Sequence, residues 1–117
     1  MDQEILGVFL EEFSDLIKIL EIEISKYPSN KIQVNEIFRV FHTLKGNSAS
    51  IEYFRLHKLV KYYCDYFREK QKETKLTNKE QTALIDCVRI LKDFHRRIKN
   101  GKKGKTIKII PTINKLD

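Results

Sequence analysis

The sequence predicts an all-α protein, an up-down four-helix bundle followed by a basic tail. Apolar residues recur every three to four positions along four long segments, as on one face of an amphipathic helix. Only two prolines and four glycines occur among 117 residues, so few positions would interrupt a helix. The 41% hydrophobic content suffices for one small domain with a single core. We therefore expect a helical domain over residues 1–100 and a basic linker or tail, with an extended segment as one option, over residues 101–117.

The first helix is predicted over residues 2–27. Its inner face is formed by apolar residues spaced three or four apart, namely Ile5, Phe9, Phe13, Leu16, Leu20 and Ile24. Further apolar residues widen this face, namely Leu6, Val8, Leu10, Ile17, Ile19 and Ile22. We therefore expect this helix to be covered on more than one side. Pro28-Ser29-Asn30 then breaks the pattern.

The middle helices are predicted from about Lys31 to Ser48 and from about Glu52 to Lys72. The inward positions of the first are Ile37, Val40, Phe41, Leu44 and Ser48. Those of the second are Leu56, Leu59, Val60, Tyr63 and Phe67. Three more tyrosines in or beside the second helix are interpreted as helix-packing aromatics rather than a nucleic-acid surface, namely Tyr53, Tyr62 and Tyr66.

The fourth helix begins at a capping signal, because Thr77 is followed three residues later by Glu80. It runs to about Lys99. Its inner face has the spacing of a bundle seam, with Leu84, Cys87 or Val88, Leu91, Phe94 and Ile98.

His42 lies off the apolar face of the second helix. It shares the outer face with Arg39, Lys45 and Gly46, at spacings of three and four residues. An imidazole in solvent can act as a nucleophile near neutral pH, and the ammonium of Lys45 can lean back over it and stabilise phosphoryl oxygens. Glycine costs a helix about 0.5–1 kcal/mol relative to alanine, so Gly46 suggests a flat place where another backbone comes close. These features predict a phosphohistidine site.

The segment His42-Thr43-Leu44-Lys45-Gly46-Asn47-Ser48, preceded by Ile37-Phe38-Arg39, resembles the H-x-x-K-G-x-[SA] signature of histidine phosphotransfer domains. These are four-helix carriers of two-component phosphorelays, and the same fold forms the amino-terminal domain of chemotaxis histidine kinases. The resemblance covers roughly residues 2–99. It implies that His42 is phosphorylated, that Lys45 stabilises the phosphoryl group and that Gly46 lets a response-regulator receiver domain approach.

Two positions depart from the family's pattern. The family commonly has a glycine after the motif, where this chain has Ser50-Ile51-Glu52, so we expect Ser50 to cap the next helix. The chemotaxis-kinase branch tends to place a histidine and a glutamate on the following helix, at the positions of Lys61 and Cys64. Their absence favours a simpler phosphocarrier, with Lys61 as a candidate second cation.

The function that the resemblance implies is a phosphocarrier that exchanges a phosphoryl group between His42 and receiver aspartates. It is not expected to be an enzyme, because no nucleotide-binding motif is present. No cofactor is expected in the chain itself, and magnesium would come from the receiver. Candidate partner contacts are Phe38, Arg39, Gly46 and Asn47, although Phe38 fits core packing equally well.

Two alternatives stay open. The chain could be the amino-terminal phosphotransfer domain of a chemotaxis-type kinase, with a hybrid or chemotaxis-type histidine kinase as its partner. It could instead be a helical adaptor that binds receivers without being phosphorylated.

Charge argues against nucleic-acid binding by the helical domain. Residues 1–95 contain 15 basic and 15 acidic side chains, whereas residues 96–117 contain eight and one. A nucleic-acid-binding domain usually presents its basic residues as a face of the fold. The excess of basic side chains lies in the tail. This tail could pack on the bundle, pair with a partner's sheet edge or be disordered.

The remaining features favour a soluble, cytoplasmic protein. No apolar run approaches the roughly 20 residues of a membrane span, and Met1-Asp2-Gln3-Glu4 is too acidic for a signal peptide. Cys64 and Cys87 are interpreted as small buried residues in the reduced state, and their spacing to His57 and His95 does not fit a metal site. Both of these histidines are expected at the surface or at helix boundaries.

Overall fold

The computed structural model of the chain describes residues 3–101. It contains four helices: α1 (Gln3–Ser25), α2 (Val34–Ser50), α3 (Phe54–Arg68) and α4 (Asn78–Lys99). Helix α2 packs along α3, and α1 packs against both α2 and α4. The prediction of an all-α four-helix bundle is confirmed. The tail, residues 102–117, lies outside the described residues, and the division near residue 100 stays a prediction.

The predicted inner faces of α2, α3 and α4 form the core. Every inward position named above for these three helices is buried, and at the position left open in α4 both Cys87 and Val88 are buried. Aromatic rings join α2 to α3, with the ring of Phe41 centred 5.0 Å from that of Tyr63 and 6.3 Å from that of Phe67. The Tyr63 hydroxyl donates to the carbonyl oxygen of Ala83 at 3.2 Å, and burial raises the pKa of Tyr63 far above its usual value.

Helix α1 corrects one part of the prediction. Ile5, expected on the inner face, is 58% exposed. Because a helix has 3.6 residues per turn, residues spaced four apart rotate gradually around its axis. Following this rotation back from Ile17 through Phe13 and Phe9 places Ile5 outside the buried face. Val8 and Ile22 are also exposed, so no second layer covers this side of α1 within residues 3–101.

Two buried glutamates organise the loop between α1 and α2 and the loop between α3 and α4. Glu80 forms the predicted capping box with Thr77 and also accepts hydrogen bonds from Tyr66 at 2.6 Å and Lys70 at 2.7 Å. Burial alone would raise the pKa of Glu80, but the hydrogen bonds from Lys70, Thr77 and Tyr66 outweigh it and the net shift is downward. At the other loop, Glu23 accepts from the backbone N–H of Gln33 at 2.9 Å. Nothing in the sequence pattern predicted this second contact.

The turn between α2 and α3 is made without a glycine. Glu52 adopts a φ of 61°, the left-handed region, and follows Ile51 at the helix terminus. The N–H of Tyr53 donates to the Ser48 carbonyl and the N–H of Glu52 to the Ala49 carbonyl, which is the pairing of a Schellman motif.

The expectation that Ser50 caps α3 was wrong. Ser50 is the last residue of α2, and its hydroxyl donates back to the Gly46 carbonyl at 3.1 Å. The residue before α3 is Tyr53, which makes no side-chain cap. Helix α3 also ends at Arg68, four residues before the predicted boundary. Within residues 3–101, no helix is both long enough and apolar enough to cross a membrane.

Candidate functional site

His42 lies on the solvent face of α2, with its buried neighbour Phe41 holding that turn of helix against the core. The ring of Phe38, one turn earlier, is centred 5.7 Å from the imidazole and tilted by 40°. Within the described part of the chain, no hydrogen bond engages the ring nitrogens of His42. Its unprotonated nitrogen is therefore available to an electrophile from solvent.

Phe38 combines the two roles that the sequence left open. Its side chain packs partly against the hydrophobic core and partly faces the imidazole. It therefore limits how the ring of His42 can lie on the side toward the helix N-terminus. The part that stays exposed adds apolar surface beside the imidazole.

Gly46 lies one turn after His42 and is exposed. A Cβ atom built at this position would have no neighbour within 4 Å. The packing of this chain therefore does not require glycine here. The absent side chain leaves an open approach to the imidazole from the helix C-terminal side.

Cations from two helices lie near this surface. Lys45 is half-buried on α2, and Lys61 on α3 places its ammonium 2.7 Å from Asp65, to which Arg68 also pairs at 3.2 Å. The hydrogen bond from Lys61 is the largest influence lowering the pKa of Asp65, and the charges of Arg68 and Lys45 add to it. The charges of Lys45 and Lys61 therefore both lower the pKa of the same carboxylate.

Asp65 was not predicted as part of this surface. The available signal was its spacing, four residues after Lys61 and three before Arg68, which is typical of ion pairs along a helix. The carboxylate reduces the net positive charge that Lys61 presents to solvent. Lys61 is therefore a paired cation, and its role as a second cation for the phosphoryl group stays a prediction.

His57 is a second residue that the sequence analysis missed. Its ring is half-buried, with Nδ1 3.0 Å from the Lys45 carbonyl oxygen and 3.4 Å from the Ser48 hydroxyl. The carbonyl can only accept, so Nδ1 carries the proton and donates. His57 was expected at the surface or at a helix boundary, and it lies in the first turn of α3, where it links this helix to the turn of α2 that bears Lys45. The only indication in the sequence that His57 lies near the core was its position directly after Leu56, which was predicted to face inward.

The other predicted contacts are more peripheral. Arg39 pairs with Glu36 at 2.8 Å and its side chain is 68% exposed. Asn47 is half-buried, and its carbonyl accepts from the N–H of Ile51 at the helix end. His95, expected at the surface or at a helix boundary, is half-buried near the end of α4, and its Nε2 lies 2.9 Å from the Leu10 carbonyl and links α4 to α1.

The two cysteines form no disulfide, and the guanidinium of Arg68 donates to the Sγ of Cys64 at 4.0 Å. Cys64 and Cys87 are buried free thiols, and burial raises the pKa of Cys87 well above its usual value. Among residues 3–101, no group of three or more histidine, cysteine or acidic side chains is placed to hold a metal ion.

Comparisons with known proteins agree with this geometry. Residues 4–95 match the family model described as the Hpt domain. A relative, the chemotaxis protein CheA of Borreliella burgdorferi, is 42% identical over 69 residues, which is 56% of this chain and 8% of the relative. The chain thus spans less than a tenth of that protein's length. No solved structure matches. This family match covers all four helices except Gln3 and the last four residues of α4. The chain therefore belongs to the Hpt domain family and is a phosphotransfer domain of two-component signalling, a phosphocarrier rather than an enzyme.

Proposed function

We propose that His42 is the phosphorylated residue and that it exchanges its phosphoryl group with aspartates of response-regulator receiver domains. One observation supports this above the others. The imidazole is exposed and makes no hydrogen bond within residues 3–101, on a helix that carries Lys45 three residues later and is open at Gly46.

The transfer proceeds in line. The unprotonated nitrogen of His42 attacks the phosphorus of a phosphoaspartate, a P–N bond forms, and the P–O bond to the departing carboxylate breaks. The proton on the other ring nitrogen stays in place. Transfer to a second receiver is the same displacement with an aspartate oxygen as nucleophile. Magnesium and the acidic pocket belong to the receiver in this proposal.

The lysines supply electrostatic stabilisation. Negative charge on the phosphoryl oxygens grows closest to Lys45, whose ammonium forms charge-assisted hydrogen bonds with them. Lys61 contributes at longer range, since Asp65 already holds its ammonium at 2.7 Å. Phe38, Arg39, Gly46 and Asn47 form the proposed contact surface for the receiver, with Gly46 as the point of closest approach.

The likeness to the Borreliella chemotaxis protein favours a second donor. A histidine-kinase catalytic domain, of the chemotaxis or hybrid type, would phosphorylate His42 from ATP, and the chain would then be the phosphotransfer part of that system. Both versions place the chain in the cytoplasm, where receivers and ATP are found. They share the same nucleophile and differ only in what supplies the phosphoryl group.

The deciding experiment is incubation of the purified chain with a phosphorylated receiver or, separately, with a kinase catalytic domain and ATP, followed by intact mass and an acid-lability test. We expect the gain of one acid-labile phosphoryl group, lost in His42→Gln. His95→Gln is the matched control, because glutamine can keep the hydrogen bond that Nε2 donates to Leu10. Labelling of His42→Gln would refute His42 as the phosphorylated residue. If neither donor labelled the chain, the remaining interpretation would be a helical adaptor that binds receivers without being phosphorylated.

A further inference from the structure

The outer side of α1 carries an apolar stripe that nothing covers within residues 3–101. We name as the outer stripe the residues Ile5, Val8, Glu12, Asp15, Ile19 and Ile22. Alternating steps of three and four place all six on one face of the helix. Val8 is 62% exposed and Ile22 is 57% exposed. Four of the six large apolar side chains exposed in the described residues lie here.

The same helix is strongly acidic. It contains six acidic residues and one lysine, Lys18. Two of the acids are neutralised, because Glu23 pairs with Lys26 and Glu21 pairs with Lys92. Three exposed acids on or beside the outer stripe form no ion pair among residues 3–101, namely Glu11, Glu12 and Asp15. The stripe therefore suits an occupant that is apolar and basic.

A second copy of α1 does not meet this requirement. Pairing two outer stripes would bring Glu12 and Asp15 of one chain against the same acids of the other. Like charges at such close range oppose association. The occupant must differ in charge from α1 itself.

Residues 102–117 have the required composition. They contain five lysines and one acid, together with four isoleucines, namely Ile107, Ile109, Ile110 and Ile113. Residues 1–95 have no net charge, so most of the net positive charge of the chain lies in this segment. Lys108 lies among the isoleucines, three lysines precede Ile107, and Lys115 follows Ile113, so positive charge flanks the apolar residues on both sides.

The segment also begins in the right place. The amide of Gln81 contacts the Ile24 carbonyl, and His95 contacts the Leu10 carbonyl, so α4 runs antiparallel to α1. The end of α4 therefore lies beside the start of α1, close to the first residues of the outer stripe. The stripe spans about 26 Å of helix, and 16 extended residues reach up to roughly 50 Å. The segment is long enough to follow the whole stripe.

We propose that residues 102–117 bind the outer stripe of α1 in the same molecule, with their isoleucines against Val8 and Ile22 and their lysines beside Glu12 and Asp15. The contact covers the apolar side of α1 and neutralises its unpaired acids. It does not depend on the phosphotransfer function, because none of these residues belongs to the surface around His42.

The test uses the full chain with a spin label on Thr112→Cys. Cys64 and Cys87 are buried, so the label goes to the new thiol. We expect the amide signals of α1 residues along the outer stripe to lose most of their intensity through paramagnetic broadening, while those of α3 keep theirs. Glu12→Lys with Asp15→Lys should restore the signals, and so should 1 M salt, in part, since the Debye length falls to ~3 Å.

Three results would overturn the proposal. The first is broadening confined to helices other than α1, and the second is no broadening anywhere. The third comes from a mixture of two chains, one that carries only the isotope label and one that carries only the spin label. It is broadening of the isotope-labelled chain equal to that seen within a single chain. This result would assign the contact to the tail of a second molecule.

Discussion

The Nδ1 nitrogen of His57 lies 3.0 Å from the carbonyl oxygen of Lys45 and so fixes α3 to the turn of α2 that carries the predicted phosphoryl-binding cation. We expect His57→Leu to lower the free energy of unfolding by about 1 kcal/mol, the usual contribution of one such hydrogen bond. Phosphoryl transfer to the chain should also slow, because Lys45 loses its anchor. Urea unfolding and transfer kinetics provide the two measurements.

The control for this pair is His57→Asn. The amide nitrogen of asparagine can occupy the place of Nδ1 and donate the same bond, so this variant should transfer faster than His57→Leu. Equal transfer rates in the two variants would show that the contact with Lys45 has no positioning role.

Lys45→Ala tests the electrostatic role of the ammonium. We expect phosphoryl transfer to His42 to slow roughly tenfold, equivalent to ~1.4 kcal/mol of transition-state stabilisation. The fold should be unchanged, since the lysine side chain is only half-buried. Lys58→Ala, at an exposed position of α3, is the matched loss of one charge. Similar slowing in both variants would mean that only net charge matters.

Gly46→Ala should have opposite effects on stability and on transfer. A Cβ here meets nothing within 4 Å, so alanine should stabilise the chain by about 0.5–1 kcal/mol through helix propensity. Transfer from a receiver should weaken, because the new methyl group occupies the open approach. Thermal unfolding and transfer rates measure the two effects.

Gly7→Ala is the control, since Gly7 is also an exposed helical glycine with open space. It should give the gain in stability alone. Unimpaired transfer by Gly46→Ala would remove Gly46 from the contact surface.

Glu80 predicts a pH dependence of stability. Its folded-state pKa is lowered, so its contribution is complete above the unfolded value of about 4.3 and is lost as the pH falls through the lower folded value. Glu80→Gln should therefore destabilise the chain by roughly 2–3 kcal/mol at pH 7, since Lys70 and Thr77 lose a charged acceptor.

Urea midpoints at pH 7 and pH 3 measure this, and the gap between the original chain and Glu80→Gln should narrow at pH 3. Glu36→Gln, which removes an exposed ion pair with Arg39, should change stability by less than about 1 kcal/mol. A gap that stays constant with pH would contradict the role given to the Glu80 carboxylate.

Glu52→Gly should stabilise the chain by about 1 kcal/mol. Glu52 has a φ of 61°, which glycine adopts without the steric penalty of a Cβ. Glu69→Gly is the contrast, because Glu69 has a φ of −75° and glycine there only adds freedom to the unfolded chain. Thermal unfolding of both variants decides the matter, and destabilisation by Glu52→Gly would contradict a strained turn.

The sequence predicted the helices and the core because both follow from local periodicity. The inner faces of α2, α3 and α4 were assigned correctly, and the capping box of Thr77 and Glu80 is readable from spacing alone. Helix ends were less accurate, since capping by backbone contacts, as at Glu52, leaves no residue signature. Ile5 was misplaced because the predicted inner face was extended by four-residue steps, which drift away from the buried face of the helix.

Most of the site residues that could be predicted lie on one helix. Phe38, His42, Lys45 and Gly46 follow from the spacing of α2 and from the family resemblance, which also gave Lys61 on α3 as a candidate cation. The contact of His57 with Lys45 was not predictable, because it depends on how two helices cross. The pairing of Asp65 with Lys61 was visible as a helical spacing, but its position beside Lys45 was not.

The left-handed turn at Glu52 depends on packing elsewhere in the bundle. The turn joins the helix that bears His42 to the helix whose His57 contacts Lys45, yet its own conformation is locally unfavourable for a residue with a Cβ. Buried contacts between these helices, such as that of Phe41 with Tyr63, must supply the free energy that holds it. A fragment limited to residues 34–68 keeps these contacts but loses the packing of α1 on α2, so it should hold the turn less firmly than the whole bundle does.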